Sequence, residues 1–129
     1  MPIELTYLAL CVVLFIVMIV VQALGSIRSN SMSFLVGPRD GMVDKTDFSG
    51  RCRRANANMI EGMVMFVPLV LIVVHMGMTS PLTALGAACF FFGRLIFAPT
   101  YWLGVPWVRT RAWFVSIAGI LMLLWEIFL

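Results

Sequence analysis

The sequence predicts an all-α protein, an integral membrane bundle of four helices, and three observations carry that prediction. Of 129 residues, 62% are hydrophobic and 12% charged, against about 45–50% and about 25% in soluble domains. The mean hydropathy is +1.04, and a soluble domain this short buries only about two-thirds of the surface its unfolded chain exposes. Finally, polar stretches and turn signals divide the chain into four apolar runs, each about 17–20 residues long and so able to cross a bilayer. The same arithmetic excludes disorder, a collagen-like repeat and a nucleic-acid-binding module. The net charge of +3 reads as loop charge that sets topology.

The first span is 5–24, without a charge. Gln22-Ala23-Leu24-Gly25-Ser26 has the small residues of a secretory cleavage point. A signal, however, needs a basic start and a short apolar core. This start has Glu4, no Lys or Arg, and a longer run, so it reads as a retained span.

The loop 26–54 changes character, with Arg28, Arg39, Lys45, Arg51, Arg53 and Arg54 against Asp40, Asp44 and Asp47. Gly37-Pro38 and Asp40-Gly41 are turn signals, and Thr46-Asp47-Phe48-Ser49-Gly50 is a candidate helix cap. The second span is 59–78, interrupted by Glu61, Pro68 and His75, with a kink expected near Pro68. A tight turn over 76–81 leads to the third span, 82–98, which Pro99 is expected to terminate. The loop 99–111 carries Arg109 and Arg111, and the fourth span is 112–129.

Together these make one membrane domain over 1–129, without internal repeats. Eight of the nine basic residues fall in loops 26–54 and 99–111. Under the positive-inside rule those loops are cytoplasmic and both termini lie outside. Trp102, Trp107, Trp113 and Trp125 sit near span ends, where an aromatic belt belongs.

Several residue types point away from chemistry. The three cysteines, Cys11, Cys52 and Cys89, are an odd number without C-x-x-C spacing. That argues against both a disulfide framework and a zinc site. His75 stands alone at a span end, and the methionines and Phe90-Phe91-Phe92 read as packing or lipid-facing groups. Neither a phosphate loop nor a Ser/His/Asp set is present, and no metal site is expected.

Charged groups inside a span are costly, about 2.5–3.5 kcal/mol each on insertion scales, so each needs a partner or a reason. Arg54, Asn58 and Glu61 are spaced i, i+4, i+7 and share one helical face. Arg94 lies at similar depth on the third span, with Tyr101 at i+7, and Arg109 and Arg111 open the fourth. Arginine forks bind carboxylates in pairs, so this inventory suits a small polyanion beside an apolar substrate. The structural reading of the same residues is a Glu61–Arg94 pair pinning the bundle while the other arginines snorkel to headgroups.

The run from Arg51 to Glu61, Arg-Cys-Arg-Arg-Ala-Asn-Ala-Asn-Met-Ile-Glu, resembles the R-A-x-x-N-x-x-E signature of the MAPEG family, membrane-associated proteins in eicosanoid and glutathione metabolism. Gly93-Arg94, Tyr101 and Gly104-Val105-Pro106-Trp107-Val108-Arg109-Thr110 are similar to that family's third span and the start of its fourth, especially in small bacterial members. The resemblance implies a homotrimer in a bacterial inner membrane, with glutathione between subunits near the cytoplasmic face. It implies that Arg54, Asn58, Glu61, Arg94 and Tyr101 hold glutathione. Arg109 would stabilise its thiolate, with Thr110 where some members place a serine. Lipophilic electrophiles or lipids would arrive from the bilayer. Three positions depart from eicosanoid-metabolising members: Gly50 replaces an acidic residue, Ala57 a basic one and Trp113 a tyrosine.

The expected function is a glutathione-dependent transferase or peroxidase. A non-catalytic lipid-binding scaffold of the same fold is the alternative. A small four-span multidrug transporter is more distant, because it needs an ionisable group deep in a span; the first span has none after Glu4, and Glu61 is expected to have arginines within reach.

Overall fold

Each apolar run forms one long helix in the computed structural model, which describes residues 1–29, 37 and 47–129. The helices are α1 (Ile3–Ser29), α2 (Asp47–His75), α3 (Pro81–Leu103) and α4 (Pro106–Phe128). All four are long and apolar enough to cross a membrane. Arg39, Asp40, Asp44, Lys45, Thr46 and the turn signals at 38 and 40–41 lie outside the described residues.

The helices start before the expected spans, and α1 and α3 also end after them, whereas α2 stops at His75, short of 78. Residues 47–54, expected in a loop, form the first turns of α2, and α3 continues through Pro99 to Leu103. Hydropathy marks only the part of a helix that meets hydrocarbon, while the backbone stays helical into the headgroup layer. Proline removes one N–H from the ladder, and here the following turn is supported by Thr100, whose hydroxyl lies 2.9 Å from the carbonyls of both Ile96 and Phe97. The stop comes at Gly104, whose φ of 72° is the left-handed C-cap that glycine adopts without strain. Helix α2 also runs through Pro68.

The expected turn over 76–81 is present. Gly77 takes φ 66°, and Met78 N–H donates to Val73 O at 2.8 Å. Ser80 then caps α3 in a reciprocal box. Thr83 N–H donates to Ser80 Oγ at 3.2 Å, and Ser80 N–H donates to Thr83 Oγ1 at 2.7 Å.

Helices α3 and α4 approach closely because small residues face each other along their crossing. A Cβ on Gly119 would lie 2.3 Å from Gly86 O, and one on Gly93 would lie 2.8 Å from Ala112 O. Backbone-to-backbone contact of this kind is the membrane counterpart of tight core packing. The core between α2 and α3 is centred on Phe66 and Phe90, stacked with ring centroids 4.1 Å apart.

Helix α1 packs on α2 and α3 through Cys11, Leu14 and Met18. Two polar contacts pin it. The buried carboxylate of Glu4 accepts from Thr83 Oγ1 at 2.6 Å, and Asn56 Nδ2 donates to Gln22 Oε1 and to Met18 O. Among the described residues, Arg51, Arg53, Arg54, Arg109 and Arg111 all lie at the end formed by the start of α2, the end of α3 and the start of α4. The opposite end carries Glu4, His75 and Glu126.

Candidate functional site

The site forms at the arginine-rich end, where the corner between α3 and α4 faces α2. Gly104 lets the chain turn within two residues, and Pro106 then starts α4 with a φ already suited to a first helical turn. This brings Tyr101, in the last turn of α3, opposite Arg109, in the first turn of α4. The Arg109 guanidinium carbon lies 4.8 Å from the Tyr101 ring centroid, a cation–π arrangement. Arg51 steadies the corner from α2, donating from Nε to Trp102 O at 2.9 Å.

A groove of about 360 Å³ opens beside this contact. It is lined by Asn58 from α2, by Phe97 and Tyr101 from α3, and by Arg109, Thr110, Trp113 and Phe114 from α4. Four of the seven residues expected to bind or catalyse therefore meet in one place: Asn58, Tyr101, Arg109 and Thr110. Thr110 donates its hydroxyl proton to Pro106 O at 3.0 Å, so it offers the groove lone pairs rather than a proton. The remaining walls are aromatic. One side of the groove can meet a charged, hydrogen-bonding ligand and the other an apolar one.

The other three expected residues are placed differently. Arg94 is fully enclosed, with 2% of its surface exposed, although it donates from Nη1 to Asn58 Oδ1. Its guanidinium sits between Phe90 and Phe97, 5.4 and 5.3 Å from their centroids, and its Nε has no hydrogen-bond partner among the described residues. Arg54 and Glu61 are exposed on the outer surface of α2, outside the groove.

The expected Glu61–Arg94 pair does not form at N···O distances up to 4.0 Å. The reason is the helical turn. Three residues advance about 300°, so Glu61 is rotated some 60° away from Asn58, the residue that faces Arg94. Gly62, one position further on, swings back toward Arg94. A Cβ there would lie 2.7 Å from Arg94 Nη2, so the absent side chain is what gives the guanidinium its room.

Sequence reasoning missed Gly62, the Arg51 staple and the aromatic walls Phe97 and Phe114. A glycine inside a spanning helix, directly beside a charged residue, was the available signal for Gly62. Among the described residues no group of three or more His, Cys, Asp or Glu side chains is placed to hold a metal ion.

The donors of the groove fit an anionic, hydrogen-bonding ligand. Arg109 supplies a fixed cation, Tyr101 a phenol and Asn58 an amide, with no carboxylate on the lining to repel an anion. A model of the MAPEG family matches residues 5–129. No curated protein and no solved structure matches the chain.

Proposed function

The chain belongs to the MAPEG family and is an integral membrane four-helix protein, and from that premise we propose that it is a glutathione-dependent transferase or peroxidase acting on lipophilic electrophiles. The family sets the coarser statement, a membrane protein of eicosanoid and glutathione metabolism. The observation that supports the finer one is the Arg109–Tyr101 corner, open to a groove with polar and aromatic sides.

In this reading glutathione lies in the groove with its thiol at Arg109. A fixed positive charge favours the thiolate and lowers the thiol pKa from its ordinary value of about 8.5. The thiolate is the nucleophile. It attacks an electrophilic carbon presented from the aromatic side, the C–S bond forms, and the leaving group departs with the bonding electrons. The thiol proton passes to water. Tyr101 holds the guanidinium in place through its ring, and Thr110 supplies an acceptor at the groove edge.

The reading places Arg54 and Glu61 against a neighbouring subunit of a homotrimer. Glu61 lies fourteen residues before His75, about 21 Å along the helix at about 1.5 Å per residue, and so within the spanning part of α2. An exposed carboxylate at that depth costs several kcal/mol against lipid, which favours cover by a second copy. The arginine-rich end faces the cytoplasm in this reading, with both termini outside.

Thermal unfolding of the detergent-purified protein with and without glutathione tests the binding step. Ligand at about 100 times the dissociation constant adds about 2.7 kcal/mol of apparent stability. Conjugation of a chlorinated nitrobenzene tests the chemistry. Binding without conjugation would favour the non-catalytic lipid-binding alternative, and no stabilisation at any concentration would remove the glutathione reading.

A further inference from the structure

Arg94 carries a charge that no ligand in the groove can touch directly. It is 2% exposed, closed in by Phe90, Phe97 and Gly62, and it donates from Nη1 to Asn58 Oδ1. A guanidinium has donors and no acceptor. The amide of Asn58 must therefore turn its oxygen toward Arg94 and its nitrogen away. Asn58 is half-buried and lines the groove with Tyr101 and Arg109. Its Nδ2 makes no hydrogen bond to a described residue and is not among the fully buried unpaired atoms, so this donor group is left accessible on a residue that lines the groove.

We propose that Arg94 is a positioning residue: it locks the Asn58 amide with both donors in the groove, so that this subsite takes a hydrogen-bond acceptor of the ligand. The acceptor is a carboxylate or a peptide carbonyl. An ammonium or other donor group is rejected there, because Arg94 prevents the amide from flipping to offer its oxygen. For the ligand's identity this rests on the glutathione reading. It assigns the Asn58 end of the groove to a carboxylate or peptide carbonyl of the tripeptide and keeps its amino group elsewhere. The guanidinium is suited to the task because the amide oxygen accepts its hydrogen bond while two aromatic faces and a glycine crowd around it.

The test is glutathione affinity by calorimetry on the full-length protein, paired with steady-state kinetics and thermal unfolding. Asn58→Asp keeps an acceptor for Arg94 but replaces the groove donors with an anion. It should unfold no earlier than the wild type and bind glutathione at least about tenfold more weakly, as expected for the loss of a hydrogen bond to a charged group. Arg94→Met fills the enclosed space without donors. It should weaken glutathione by about fivefold or more and raise KM for glutathione, while kcat at saturation stays within about twofold. Placed in the Asn58→Ala background, Arg94→Met should add nothing, since its effect passes through the amide.

Full additivity of the two changes would mean that Arg94 meets the ligand itself, and would overturn the positioning role. So would wild-type affinity in Asn58→Asp, which decides the matter alone if Arg94→Met does not fold. These outcomes leave the glutathione reading standing. A wild-type protein that binds no glutathione overturns both.

Discussion

The guanidinium of Arg109 faces the ring of Tyr101 at 4.8 Å, across the corner where α3 hands over to α4. The two residues come from different helices, and only the short Gly104-Val105 connection makes them neighbours. The ring fixes the direction of the charge, and the charge is what a thiolate needs. Arg109→Ala should therefore lower turnover by about 10²–10³, the usual cost of removing one group that stabilises developing charge. Glutathione affinity should change by less than about threefold. Tyr101→Phe keeps the ring and should keep most of the activity, whereas Tyr101→Leu should not. Steady-state kinetics with a chlorinated nitrobenzene separate these outcomes; equal losses from Phe and Leu would show that the hydroxyl, not the ring, matters.

Glycine-to-alanine changes should rank by what the added methyl meets. At Gly119 it lies 2.3 Å from a backbone carbonyl, which cannot move without parting α3 from α4. At Gly62 it lies 2.7 Å from the tip of Arg94. Gly119→Ala should destabilise by about 1–3 kcal/mol or more, and Gly62→Ala by less. Yet Gly62→Ala should weaken glutathione binding more, because it disturbs the side chain that holds Asn58. Melting temperature and glutathione affinity measured on both variants check the crossed order, and a parallel order would count against it.

Thr83 joins the cap of α3 to the first helix. Its hydroxyl donates to Glu4, which is 2% exposed, and accepts from Ser80 N–H. Thr83→Val removes both bonds and leaves a buried carboxylate without its donor, at a cost of about 1–3 kcal/mol. Thr83→Ser keeps the hydroxyl and should unfold close to the wild type in a thermal scan. Equal loss in both variants would point to the methyl group instead.

Orientation follows from charge. Arg51, Arg53, Arg54, Arg109 and Arg111 share one end of the bundle, so a reporter fused after Leu129 should be active outside the cytoplasm and silent within it. Cytoplasmic activity would invert the topology and move the groove to the other membrane face.

The number of helices was legible because hydropathy reports it directly, and four of the residues that meet at the groove were named from spacing, charge and the family resemblance. A run of apolar residues long enough to cross hydrocarbon has one backbone solution, and Asn58, Tyr101, Arg109 and Thr110 sit at its polar margins. Helix ends were less legible: Asp47–Arg54 and Pro99–Leu103 are helical although their composition reads as loop, because the headgroup layer tolerates charge on a helix. The Arg94 partner was not legible. The i, i+4, i+7 pattern treats a 60° spread as one face, and that spread is what sends Asn58 toward the guanidinium and Glu61 outward. Gly62 carried the missing information, but a glycine's meaning depends on what stands opposite, which only the packed helices show.

In the proposed mechanism glutathione binds with its thiol ionised against Arg109. The most direct measurement is the ultraviolet difference spectrum of the purified protein on adding glutathione near pH 7. A cation beside the thiol lowers its pKa, so the thiolate is present above that lowered value and disappears as the pH falls through it. The wild type should show a thiolate band near neutrality. In Arg109→Ala the band should appear only as the pH approaches about 8.5, the ordinary thiol range. Binding without a thiolate band in the wild type, or the same titration in both proteins, would contradict that mechanism.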